Sequence, residues 1–193
     1  MDDILVRLDE ELFLDLKEAE DLIVLAISKR AKDLAKSIAS KYNLECDILF
    51  IEEVKSPINK EVSLASVSES RDYVIIEELV RSFEITDDFL FNEIERVYEE
   101  KILEDIHQFR KGEGLISIKD KSVLLVDVAA NTGLTLLCAI KSCINQGANF
   151  IKVGVGVIAK ETAEMIEKIV DKVYFGKVIE DYVSTEFYIK ESK

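Results

Sequence analysis

The chain has 193 residues, 48% of them hydrophobic and 33% charged, proportions that suit one soluble globular domain with a full core. A formal charge of −14 argues against a nucleic-acid partner held through its phosphate backbone, since no lysine and arginine cluster offsets the acidic excess. No window approaches the ~18 apolar residues of a spanning helix, and Asp2 and Asp3 lack the basic start of a secretory signal, so no membrane partner and a cytoplasmic location are expected.

In chain order, residues 9–19 carry Leu12, Leu16 and Ala19 at helical spacing and are expected to form a short opening helix. An apolar run at 22–27 reads as a buried strand ending at Ser28-Lys29-Arg30. Ala31, Leu34, Ala35, Ile38, Ala39 and Tyr42 then form one face of a helix, and 46–51 a second strand. That βαβ unit places both strands in one parallel sheet, with the loops at their carboxyl ends available for ligand. Residues 52–61 read as a polar connection containing Pro57, followed by short strands at 62–67 and 73–76 that are able to pair as a hairpin. Thr86-Asp87-Asp88 is expected to cap a long helix reaching Phe109, stopped by Gly112 and Gly114.

Alternation then resumes, with strands expected at 123–126, 151–157 and 171–175 and a helix at about 160–169. Gly154 and Gly156 lie inside a strand pattern, not between strand and helix, so they are no dinucleotide fingerprint and are assigned to close packing. Cys46, Cys138 and Cys143 fall in apolar patterns with no C-x-x-C spacing, which favours burial over a metal site. His107, the one histidine, lies among Glu104, Asp105 and Gln108 and is expected to face solvent, which disfavours histidine triads and zinc chemistry. The fold class is α/β: one domain, 1–193, with a mainly parallel sheet flanked by helices.

The stretch closest to a function is Ser122 to Thr135, SVLLVDVAANTGLT. Val123 to Val126 suit a strand buried on both faces, and Asp127 stands where that strand emerges. The small-residue turn leads into Leu136, Leu137, Ala139, Ile140 and Cys143, spaced as a helix starting near Thr132. Outward N–H groups, the helix dipole and the hydroxyls of Thr132 and Thr135 make this turn suited to a phosphate. The alternative is a βα turn with Thr132 as N-cap and Gly133 for packing.

This stretch resembles the phosphoribosyl pyrophosphate (PRPP) motif of the type I phosphoribosyltransferases: an apolar strand, two acids, a few small residues, then Thr-Gly-x-Thr. Asp127 stands at the first acid and Val128 replaces the second. Asn131, Thr132, Gly133, Leu134 and Thr135 stand where the family's 5-phosphate loop lies. The resemblance extends over nearly the whole chain to the predicted bacterial branch of that family. There, Leu-Pro-Arg-Gly-Gly follows the first strand, where this chain has Ile27-Ser28-Lys29-Arg30-Ala31. The branch's Arg-Lys and Pro-x-Asn-x-Glu segment corresponds to Glu52-Glu53 and Pro57-Ile58-Asn59-Lys60-Glu61, and a late Phe-Tyr pair to Phe187-Tyr188.

The resemblance implies a small-molecule phosphoribosyl ligand, with Mg²⁺ carried by the pyrophosphate and ribose oxygens, and displacement of pyrophosphate from PRPP by a nitrogen nucleophile such as a nucleobase. Asp127 would be the catalytic residue, stabilising positive charge on the ribose or orienting a hydroxyl, and Asn131 to Thr135 would hold the 5-phosphate. Ser28, Lys29, Arg30 and Ala31 would form a weakened pyrophosphate loop. Its glycines are replaced by Ala31 and Lys32, and Glu52-Glu53 put negative charge where the branch has cations. An active transferase, a non-catalytic phosphoribosyl-binding module and an acidic scaffold are the three readings, and the departures favour the second over a fully competent enzyme. Oligomeric state, a homo-oligomer included, is left open.

Overall fold

The computed structural model describes Leu8, Leu12, residues 21–184 and residues 187–188. Leu8 and Leu12 are helical and fully buried; the rest of the expected opening helix lies outside the described residues. Strand β1 (Leu22–Ala26) leads through a 3₁₀ turn (Lys29–Ala31) into α1 (Lys32–Tyr42) and β2 (Glu45–Ile48). Next come β3 (Ile51–Lys55), β4 (Ser63–Ser68), β5 (Tyr73–Ile75) and α2 (Glu77–Ser82). A long helix is built from α3 (Asp87–Val97), a π turn (Tyr98–Ile102) and α4 (Leu103–Arg110). The chain closes with β6 (Ser122–Ala130), α5 (Leu134–Asn145), β7 (Phe150–Ala159), α6 (Lys160–Ile166) and β8 (Lys172–Ile179).

Five strands form one parallel sheet in the order β2-β1-β6-β7-β8, so β1 and β6 pair directly and both end at the same edge. Their apolar runs are buried on both faces. Leu22, Val24 and Ala26 enter one core with Leu124 and Val126, while Ile23, Leu25 and Ile27 enter the other with Val123 and Leu125. Alternation with a period of two, and no polar residue in either run, is what allows helices to cover both sides.

The second strand is shorter than its sequence suggests. Hydrogen bonding to β1 ends at Leu49, whose N–H meets the Ala26 carbonyl at 2.9 Å, and Ile51 starts a separate antiparallel sheet, β3-β4-β5. Glu52 to Lys55, expected as a polar connection, is therefore a strand. The division is held by Phe50, whose N–H donates to Glu69 Oε1 at 3.0 Å, and by Arg110, which pairs with Glu69, lies 3.5 Å from Asp47 and stacks over the Phe50 ring. Local sequence polarity carries no trace of such long-range partners. β4 and β5 pair as the expected hairpin.

The small sheet docks on α5 through short polar side chains. Ser66 Oγ donates to the Leu134 carbonyl at 3.1 Å, and Ser68, Ser70 and Ser142 share hydroxyl contacts. Small hydroxyls let the elements approach closely while satisfying buried polar groups.

Thr86 caps α3 as expected, accepting from the Phe89 N–H at 3.3 Å. β6 runs four residues past Val126, so Asp127 lies within the strand and not at its end. At Gly154 an added Cβ would sit 3.7 Å from Leu124 and 3.8 Å from Leu8, ordinary contact, so crowding does not require glycine there. Cys138 and Cys143 are buried and Cys46 half-buried, all with free thiols, and burial pushes the first two thiols up to about 11 and about 12. His107 is exposed. Among the described residues no helix is long and apolar enough to cross a membrane.

Leu124 is fully buried at the middle of the sheet, so Leu124→Ala should cost about 2–5 kcal/mol in urea unfolding. Ile58→Ala, at a position 68% exposed, should change stability by no more than about 0.5 kcal/mol.

Candidate functional site

Two adjoining cavities open at the carboxyl edge of β1 and β6. The larger, about 300 Å³, is lined by Ser28, Lys29, Arg30, Glu52, Glu53 and Asp127, among others. The smaller, about 110 Å³, is bounded by residues Ala129 to Leu136. Asp127, Ala129 and Glu53 line both, so Asp127 stands where they meet. The fold thus gathers the sequence-expected site residues at one edge.

Parallel pairing matches Ala26 with Val126, which brings the next residues of both strands together. Ser28 Oγ donates to Asp127 Oδ1 at 2.8 Å, and the same oxygen accepts the Val128 N–H at 2.8 Å. Burial pushes the Asp127 carboxyl up from 3.8 to about 6, against the opposing pull of the Ser28 hydroxyl, the Val128 N–H and the Arg30 charge. Because the folded state favours the protonated acid, the stability it contributes is complete below pH 3.8 and is lost as pH rises through about 6. Asp127→Asn, which keeps an oxygen for both donors, should match the wild type near pH 4 and exceed it by roughly 3 kcal/mol above pH 6.5, read from urea unfolding across pH.

The loop after β1 has an ordinary right-handed backbone. Ser28 caps its 3₁₀ turn, and the Ala31 N–H is taken by the Ser28 side chain at 3.2 Å and carbonyl at 3.1 Å. Ala31 is fully buried, with φ −81° and ψ −10°, and Lys32 at φ −53° and ψ −49° begins α1. Both residues carry side chains, which disfavour the left-handed region that glycine adopts freely, and both take the helical conformation.

The loop after β6 does use a left-handed residue. Gly133, at φ +75°, is the N-cap of α5, which corrects the expectation that Thr132 caps a helix beginning there; Thr132 Oγ1 accepts the Leu134 N–H at 3.4 Å. An added Cβ on Gly133 would lie 2.7 Å from Thr162 Cγ2 and 2.9 Å from Met165 Cε, so this glycine serves both the turn and the packing of α6. Thr162 Oγ1 also donates to the Asn131 carbonyl, tying the loop to α6. The first turn of α5 borders the smaller cavity, with Thr132 and Thr135 among the residues that line it.

Charges around the larger cavity are internally matched. Glu53 accepts from Ser63 Oγ at 2.6 Å and pairs with Lys55; burial opposes ionisation, but these contacts and Lys101 together hold its carboxyl below the usual range. Glu52 lies 3.6 Å from Lys29 and 3.8 Å from Lys101, and Lys29 lies 2.7 Å from Asp105. Asp105, Lys101 and Lys55 were not singled out from sequence. The available signal was an acid at 105 on the apolar stripe of Ile102, Ile106 and Phe109. Among the described residues no group of three or more His, Cys, Asp or Glu side chains gathers.

A parallel α/β sheet with an acid on its central strand and a Thr-Gly-Leu-Thr turn opening the next helix places these residues at the edge where open α/β sheets meet their ligands. The phosphoribosyl transferase domain model matches residues 3–191, and the chain belongs to that family. The protein TT1426 from Thermus thermophilus is similar in structure, with 23% identity and a TM-score of 0.72 over 96% of this chain and 86% of that one. A hypoxanthine phosphoribosyltransferase from Staphylococcus aureus aligns with 16% identity and a TM-score of 0.53, covering 93% of this chain and 74% of that one. A purine phosphoribosyltransferase from Pyrococcus horikoshii aligns with 16% identity and a TM-score of 0.52, covering 95% and 85%. These neighbours share the fold. No curated protein matches the sequence.

Proposed function

We propose that the chain binds a 5-phosphoribosyl compound through the Asn131 to Thr135 loop and that its recognition of pyrophosphate is weak, so that it acts as a phosphoribosyl-binding module with little or no transfer activity. The observation that carries this is the contrast between the two loops. The turn opening α5 keeps glycine in the left-handed conformation, while the turn after β1 is a capped 3₁₀ turn whose Ala31 amide is already committed. In addition, Glu52 and Glu53 face the larger cavity, where a polyphosphate would meet negative charge.

Retained transfer chemistry is the second reading, favoured by the position of Asp127. Placed between the two cavities, it could stabilise positive charge on a ribose while a nitrogen nucleophile, such as the purine of the purine phosphoribosyltransferase neighbour, displaces pyrophosphate. Any Mg²⁺ would then be carried by ligand oxygens. The three free cysteines suit a reducing, cytoplasmic setting.

Calorimetric titration with ribose 5-phosphate and PRPP, with and without Mg²⁺, separates the readings. Ribose 5-phosphate should bind about as well as PRPP; PRPP binding a hundredfold more tightly in Mg²⁺ would overturn the proposal. Thr135→Ala should leave the fold intact and weaken ribose 5-phosphate by about tenfold, the loss of a hydrogen bond to a charged group. Gly133→Val should abolish binding and also lower stability, because its side chain meets Thr162 and Met165. Unchanged affinity in both variants would move the phosphate away from this loop.

A further inference from the structure

Lys29 lines the larger cavity, yet its ammonium is directed at acids of the protein. Nζ lies 2.7 Å from Asp105 Oδ2 and 3.6 Å from Glu52 Oε1, and Glu52 is also 3.8 Å from Lys101. The two partners of this pair are unequal in exposure: the Lys29 side chain is 48% exposed and that of Asp105 only 6%. Burial alone would lower the Lys29 pKa, but Asp105 and Glu52 outweigh it and raise it, so the lysine stays charged. Asp105 sits on the inward stripe of α4, between fully buried Ile102 and half-buried Ile106, one turn beyond the π segment. An apolar side chain would satisfy packing there, whereas a carboxylate must be desolvated and is balanced mainly by a lysine that remains half in water. Asp105 reaches the cavity only through Lys29, which lines it.

We propose that Asp105 is a specificity-determining residue that competes with an incoming anion for Lys29, so that the larger cavity disfavours highly charged ligands such as pyrophosphate. Asp105 holds the ammonium against α4, and Glu52 closes the pair from β3. An anion entering the cavity must draw Lys29 away from a carboxylate already at contact distance. Removing the carboxylate's charge while keeping its shape releases the lysine. Lys29 is half-exposed although Asp105 is buried, so the effect is modest and sensitive to salt. The assignment of pyrophosphate to this cavity and of ribose 5-phosphate to the neighbouring one rests on the function proposed above.

The test is calorimetric titration of inorganic pyrophosphate and, separately, ribose 5-phosphate into the wild type, Asp105→Asn, Glu52→Gln and the double variant Lys29→Gln with Asp105→Asn. Asp105→Asn should tighten pyrophosphate by about three- to tenfold at low salt, with the gain shrinking as salt is added. Glu52→Gln should give a smaller gain in the same direction, and the double variant should lose it, while ribose 5-phosphate affinity stays constant. A folded Asp105→Asn protein that binds pyrophosphate no tighter than the wild type, or a gain that survives loss of Lys29, overturns the proposal. If Asp105→Asn does not fold, unchanged pyrophosphate affinity in Glu52→Gln overturns it. Absent ribose 5-phosphate binding, beside a gain for pyrophosphate in Asp105→Asn, would sink the reading of the smaller cavity and leave the role of Asp105 standing.

Discussion

The hydrogen bond from Ser28, just past the end of β1, to Asp127, inside the adjacent parallel strand β6, is the contact on which the geometry of the ligand edge depends. A hydroxyl and a carboxylate 99 positions apart meet at 2.8 Å because β1 and β6 pair in register from Leu22 with Ser122 to Ala26 with Val126. That bond orients the acid, and Ser28 at the same time caps the turn that carries Lys29 and Arg30. One serine therefore caps the loop and fixes the pose of the carboxylate that lines both cavities. The acid is expensive to bury, and its donors offset only part of that cost.

Around this junction the chain balances charge within itself. Lys29 meets Asp105 and Glu52, Lys101 meets Glu52, and Lys55 meets Glu53. In a protein of net charge −14, each of these lysines at the ligand edge has an acidic neighbour close by. An anion arriving there competes with protein carboxylates, and this distinguishes the larger cavity from the turn that opens α5. Backbone dipoles at a helix start have no mobile counter-charge to surrender.

The small antiparallel sheet and the long helix supply the acids that matter most. β3 carries Glu52 and Glu53 to the cavity because Arg110, Glu69 and Asp47 hold the chain where it leaves the parallel sheet. The π turn at Tyr98–Ile102 shifts the register of the helix before Asp105, and this brings a charged side chain onto an inward stripe. The serines between β4 and α5 let the sheet lie close against the helix that opens with the Thr-Gly-Leu-Thr turn.

The sequence by itself determined the α/β class, the two central strands and the small-residue turn that precedes the helix at Leu134. Apolar runs without polar interruption, such as 22–27 and 123–126, are buried on both faces whatever surrounds them, and a small-residue turn before an amphipathic helix is a local signal. It also showed that glycine was missing after β1, and the turn found there is helical and capped by Ser28. The length of β6, the N-cap at Gly133 and the strand at Ile51–Lys55 were misjudged, because each is decided by partners distant in sequence: β7 extends β6, α6 crowds Gly133, and β4 pairs with a polar segment. Only the tertiary structure decided that Lys29 faces Asp105 and that Asp127 faces Ser28. Such pairings follow from strand register and helix phase, and a charge in sequence carries no record of the charge that folding sets beside it.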